Sequence, residues 1–154
     1  MIDEPRLEQT RAYATAVIHL TIPREKIRDV MGPGLSELRS AVAAQGIAAP
    51  GPWFTHHLSM RPVTFDFEIG VPVSKPVSPA GRMQASHMPV MQVARTIFHG
   101  DYEGLASGWA DFDAWIEAQG YKARPDLWEV YLVGPETEPD PSKWRTELIR
   151  PLMA

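Results

Sequence analysis

The string WEVYLV, residues 128–133, places Glu129 two residues before Tyr131 in a stretch rich in β-formers. Side chains alternate along a strand, so Trp128, Val130 and Leu132 share one face and Glu129, Tyr131 and Val133 the other. The apolar face is expected to pack on a helix. Glu129 then stands on the opposite face beside a phenol, and where that face lines a cleft it is a negative charge in an aromatic surround. Such a place attracts cations and amines through Coulomb attraction and the ring quadrupoles. On a face open to water the same residue is an ordinary solvated glutamate.

Other chemistries lack their residues. With no Cys there is no disulfide framework, thiolate zinc site or cysteine nucleophile. The histidines at 19, 56, 57, 87 and 99 have no spacing that suits a metal on one helix face, and His56 and His57 point to opposite sides of a strand, so no metal is expected. Gly-x-Ser-x-Gly, a phosphate-cradling glycine loop and His-Glu-x-x-His are all missing, and no cofactor is expected. The acid run ETEPDP reads as a solvated loop. A net charge of −4 over 154 residues argues against direct nucleic-acid binding, which needs a basic face. The N-terminus lacks a basic segment followed by an apolar run, and no apolar stretch approaches a membrane span. These features, with the missing cysteines, predict a soluble cytoplasmic protein without a membrane partner.

The elements that position Glu129 follow from periodicity and punctuation. Residues 11–20 read as a strand. A helix from Arg24 is expected to break or kink at Gly32-Pro33-Gly34, to resume through Leu35, Leu38 and Val42, and to end at Gly46. WFTHHLSM is a strand, and in VTFDFEIGV (63–71) Phe65, Phe67 and Ile69 alternate with Asp66 and Glu68, so one face is buried. Residues 72–81 read as the connector between halves. QASHMPVMQVARTIFHG is a strand pair or one long strand bent near Pro89. Asp101 can cap a helix whose stripe is Leu105, Trp109, Phe112 and Ile116, ended by Gly120. WEVYLVGP and WRTELIRPL are strands.

The two halves repeat. Ala44-Gln45-Gly46 matches Ala118-Gln119-Gly120 at a shift of 74, Trp53 matches Trp128 at 75, and Glu68 with Pro72 matches Glu147 with Pro151 at 79. The expected fold is α+β: duplicated β-α-β-β units with a pseudo-twofold axis, an antiparallel sheet with helices on one side, and a central ligand cleft. Residues 1–10 are an N-terminal extension, and 11–154 one domain with halves near 11–75 and 81–154. The shift of 75 sets Phe54 and His56 opposite Glu129 and Tyr131 as a pocket floor, with Trp53 and Trp128 as equivalent core residues. Trp109 fits core packing through its stripe and also fits the pocket. Tyr102, just after the cap, is a further pocket candidate. Glu68 and Glu147 are expected to be solvated or paired with Arg.

These segments resemble a known family. A Phe-x-x-Gly-x-Pro-Val strand end, His-x-Gly-x-Tyr-x-x-Leu before the helix, Trp-Glu-x-Tyr-Leu, and Asp-Pro-x-x-Trp-Arg-Thr-Glu, in that order, are similar to the GyrI-like small-molecule-binding family, whose module forms the effector-binding domain of AraC-type activators and of some multidrug-sensing regulators. The resemblance covers essentially the whole chain and implies the same duplicated β-α-β-β fold. It maps the family's ligand-contacting Glu onto Glu129, and it implies a pocket role for Trp109, as for the helix Trp of members that bind planar ligands. His99-Gly100-Asp101-Tyr102 stands where Gly-Pro-Tyr is common, and His56 where Tyr is common; the second departure bears on ligand preference. A stand-alone module is expected, with no stretch left for a helix-turn-helix.

The function this reading leads to is capture of an amphipathic, aromatic or cationic small molecule, to sense or sequester it. One alternative is a hydrolase that opens cyclopropane-type electrophiles with Glu129 as general base, as the resemblance implies for some members. A second is a gyrase-inhibitor-like protein interaction. The sequence points to no particular protein partner.

Overall fold

The computed structural model describes residues 1–60 and 64–153, so Val63, where the second strand of the first half was expected to start, and Ala154 lie outside the described residues. Two compact units divide the chain, one of residues 11–90 and the other of residues 1–10 with 91–154. Both are α+β, and each repeats the order strand, helix, strand, strand.

In the unit of residues 11–90, β2 (Tyr13–Pro23) leads into α1 (Ile27–Ala44), followed by β3 (Phe54–Met60), β4 (Thr64–Pro72) and β5 (Met83–Met88). All pairings are antiparallel: β3 with β4, β4 with β2, β2 with β5. Phe67 and Ile69 of β4 and Ala16 and Ile18 of β2 form one core with Leu35, Leu38 and Val42 of α1. Period 2 on the strands meets period 3.6 on the helix, and the two apolar faces close on each other.

Three expectations fail here. Pro33 does not break the helix: α1 runs through it for 18 residues. Proline costs one intrahelical hydrogen bond, but Gly34, Leu35 and Leu38 follow it directly and are buried, so packing of that turn outweighs the propensity penalty. A Cβ on Gly34 would come within 2.6 Å of Ile69 Cδ1, so the glycine lets the helix lie close on β4. Secondly, residues 72–81 do not join the halves. They link β4 to β5, which pairs with β2 from Tyr13↔Met88 to Ile18↔Met83 and so belongs to this unit.

The third correction concerns the N-terminus. Residues 1–10 are not an extension outside the domain, because β1 (Arg6–Gln9) pairs with β6 (Gln92–His99) within the unit of residues 1–10 and 91–154, Arg6 opposite Arg95. That unit continues with α2 (Leu105–Ala118), β7 (Leu127–Val133) and β8 (Arg145–Pro151), in the antiparallel order β1, β6, β8, β7. Ala94, Phe98, Phe112, Ile116 and Leu148 are its buried core. Arg95 lies 3.0 Å from Glu8 and 3.7 Å from Glu147, so the acid of β8 is ion-paired with an arginine, as expected. Glu68, its counterpart on β4, instead faces His56 at 3.3 Å. Among the described residues no helix is long and apolar enough to cross a membrane.

Candidate functional site

The site grows from the start of α2. Asp101 accepts a hydrogen bond from the Glu103 backbone N–H at 3.0 Å and so caps a 3₁₀ turn, Tyr102–Gly104, that runs directly into α2. A Cβ on Gly108 would come within 2.6 Å of the Phe98 ring, so its absence lets this end of the helix settle onto β6. That approach sets Trp109 over β7.

Trp109 Nε1 donates to Glu129 Oε2 at 2.7 Å, and Tyr131 Oη donates to Glu129 Oε1 at 2.8 Å. Each carboxylate oxygen therefore receives a bond from an aromatic residue. The Tyr102 ring stands edge-on to Tyr131, centroids 5.8 Å apart, and lies 5.0 Å from the Trp144 ring. Trp144 is itself anchored, its Nε1 donating to the Glu138 carbonyl at 2.7 Å. Trp109 also packs on Phe112 at 5.7 Å, so it serves core and carboxylate at once.

These contacts reverse the expected orientation of β7. Glu129 and Tyr131 are on the face toward α2, and Trp128 and Val130 point away from it. Trp128 is 3% exposed there, while Leu132 of the same apolar set is 41% exposed. Alternation holds from Trp128 to Tyr131, and a register shift between Tyr131 and Val133 breaks it beyond; which face meets the helix depends on what each face finds to pack against. Here Trp109 supplies an N–H that makes the polar face compatible with the helix.

Burial pushes the Glu129 carboxyl above the ordinary carboxylate range, and the bonds from Trp109 and Tyr131 draw it partly back. Tyr102 is pushed up to about 12 by burial first and then by the negative charges of Glu136, Glu129 and Asp101, so its hydroxyl stays protonated at any ordinary pH. A desolvated carboxylate bonded by Trp109 and Tyr131, with Tyr102 against Tyr131 and Trp144 against Tyr102, can hold a cation through charge and ring faces together. It can also act as a base toward a bound water or acid. Among the described residues no group of three or more His, Cys, Asp or Glu is arranged to hold a metal.

Glu129, Tyr131, Trp109 and Tyr102 thus come together within one unit. Phe54 and His56 lie on β3 of the other unit, and its pairings show why the repeat-based pairing with Glu129 and Tyr131 slips. Glu68 and Glu147 are equivalent at a shift of 79, which makes Ile69 equivalent to Leu148 and Phe67 to Thr146. Thr55 pairs with Ile69 as Glu129 pairs with Leu148, and His57 pairs with Phe67 as Tyr131 pairs with Thr146. The shift from β3 to β7 is therefore 74, the same as for Gly46 and Gly120. A one-residue slip moves every side chain to the other face. Phe54 and His56 point away from α1, Phe54 over Gly70 and His56 beside Glu68. The true counterparts of Glu129, Tyr131 and Trp109 are Thr55, His57 and Leu35. Trp53 is equivalent to Leu127 and is half-buried at the edge of its core, so it is not the partner of Trp128. Trp144 was missed as a site residue, although it sits in the Asp-Pro-x-x-Trp-Arg-Thr-Glu string; nothing in its spacing shows that it leans on Tyr102.

A model of the GyrI-like small molecule binding domain matches residues 4–153. The chain belongs to this family. Among solved structures, the GyrI-like chain is similar to the EcmrR C-terminal domain, with a TM-score of 0.85, 19% identity and 97% of each chain covered. Against EcmrR in its complex with DNA it spans only 57% of that protein. A hydrolase from Listeria innocua matches at a TM-score of 0.71 and 10% identity over 97% of this chain and 92% of that one. SAV2435 bound to tetraphenylphosphonium matches at 0.66 and 13% over 99% and 95%. These likenesses concern the fold. No curated protein matches the sequence.

Proposed function

We propose that this GyrI-like chain captures an amphipathic organic cation, with Glu129 as the counter-charge and Trp109, Tyr131, Tyr102 and Trp144 as the aromatic wall. The observation that carries this reading is the Glu129 carboxylate, desolvated and bonded by two aromatic donors. Neutral donors orient it but leave its charge uncompensated, and a ligand cation would supply what they do not. The tetraphenylphosphonium bound by SAV2435, a protein of the same fold, is an ion of this class. A compound so held is sequestered, and it is sensed where a partner reads the liganded state.

Calorimetric titration of tetraphenylphosphonium into the parent and Glu129→Gln proteins tests the reading. A charge-assisted contact contributes ~1.5–3 kcal/mol, so the variant should bind about tenfold or more weakly. The same substitution removes a desolvated charge, so the variant should be no less stable than the parent. Equal affinity in both proteins would refute the assignment.

A second reading, hydrolysis with Glu129 as general base, draws on the raised pKa of Glu129 and its bond to the Tyr131 phenol. It requires more than one equivalent of product from an activated cyclopropane, with turnover lowered ~10²–10⁴-fold in Glu129→Gln. Stoichiometric binding without product favours capture.

A further inference from the structure

Gly134 follows β7 directly and is buried. Its backbone is not in the left-handed region, so conformation alone gives no reason for a glycine there. Space does. A Cβ at this position would lie 2.7 Å from Tyr102 Oη and 2.7 Å from Glu136 Oε2. Glu136 is an exposed side chain, whereas the Tyr102 ring packs against both Tyr131 and Trp144. The Tyr102 hydroxyl is a buried atom with no hydrogen-bond partner among the described residues. It is kept in place by the volume left at Gly134 and not by a bond.

We propose that Gly134 is a positioning residue that sets the size selectivity of the site, by giving the Tyr102 hydroxyl the volume that a side chain would fill. The inference rests on the cation-capture reading for its ligand, but its mechanical part is independent of it. Adding a methyl group at 134 pushes the Tyr102 phenol off β7. The displaced ring lies against Tyr131, which orients Glu129, and against Trp144. The displacement narrows or skews the aromatic wall, and a bulky ligand feels it more than a small one. The hydroxyl is the atom that collides, so removing it should relieve the effect. Tyr102→Phe removes the colliding atom without breaking a hydrogen bond, and its own affinities are the reference for the double variant.

Four proteins test this: the parent, Gly134→Ala, Tyr102→Phe and the double variant. Two readouts are taken, the aromatic proton shifts of Tyr131 without ligand and the affinities for tetraphenylphosphonium and for tetramethylammonium. Gly134→Ala should shift the Tyr131 ring resonances, weaken tetraphenylphosphonium about tenfold and change tetramethylammonium less than twofold to threefold. Adding Tyr102→Phe should return the resonances toward those of Tyr102→Phe alone and bring the affinity to within about twofold of that of Tyr102→Phe alone. Unmoved Tyr131 resonances in Gly134→Ala, or a double variant as impaired as the single one, would overturn the proposal. If the parent binds neither cation, the capture reading fails and the size-selectivity claim fails with it, while the ring shifts still decide whether Gly134 positions Tyr102. Equal losses for the two cations would refute size selectivity alone.

Discussion

His57 offers a quantity that can be followed through from structure to measurement. It is 4% exposed, stacked on Phe67 at 5.3 Å and edge-on to Phe65 at 5.4 Å. Burial first, and then the neighbouring charges of His56 and Arg24, lower its pKa from 6.5 to about 4. Arg24 lies over the Phe65 ring at 4.4 Å, and Asp66 and Glu68 of the adjacent strand point to the opposite face, where they pair with His19 and His56. No carboxylate therefore faces the ring from β4 to help it take a proton. The folded state holds His57 neutral, whereas the unfolded chain protonates it below 6.5. The unfolded state thus binds more protons between pH 6.5 and about 4, and stability falls as pH falls through that window. At about 1.4 kcal/mol per pH unit, the contribution is about 3 kcal/mol, fully present above pH 6.5 and lost near pH 4. Phe at 57 keeps an aromatic ring of similar size and cannot titrate. Urea unfolding of parent and His57→Phe proteins at a series of pH values from 7.5 to 4 isolates this contribution, since every other titrating group is common to both. The gap between the two proteins should widen by about 3 kcal/mol on going to acid. A constant gap would mean that the ring is solvated or charged in the folded protein, and the reasoning would fail.

Cation binding should also weaken in acid. Because Glu129 is raised above the ordinary carboxylate range, tetraphenylphosphonium affinity should decline at a pH above that at which an unperturbed carboxylate protonates, and this decline should vanish in Glu129→Gln; a titration at several pH values shows it. The two register-related tryptophans should behave unequally. Trp128→Ala is expected to cost ~3–5 kcal/mol as a buried large-to-small change. Trp53→Ala, at the edge of its core, should cost ~1–2 kcal/mol. Thermal or denaturant unfolding that ranks them the other way would refute the register deduced from the strand pairings.

Local pattern was enough for much of this protein. The alternation in VTFDFEIGV, the stripe Leu105, Trp109, Phe112 and Ile116, and the cap at Asp101 depend on neighbours a few residues away, so they were legible in the sequence. Glu129 and Tyr131, two apart on a strand, necessarily share a face, and their hydrogen bond follows from that spacing. The repeated order of elements was legible too, because Gly46 and Gly120 end both helices at the same offset. Tertiary structure decided the rest, wherever two energies of similar size competed. A proline in α1 was tolerated because Gly34, Leu35 and Leu38, which follow it, are buried. The side of β7 that meets α2 was fixed by Trp109, 20 residues away in sequence, whose N–H satisfies the carboxylate. A shift of 74 and a shift of 75 look equally good as matched letters, but only one keeps the hydrogen-bond ladder in register, and it put Thr55 and His57 where Phe54 and His56 were expected. The wall formed by Tyr102 and Trp144, and the space that Gly134 leaves for it, join segments separated by loops, and no local periodicity encodes such distances.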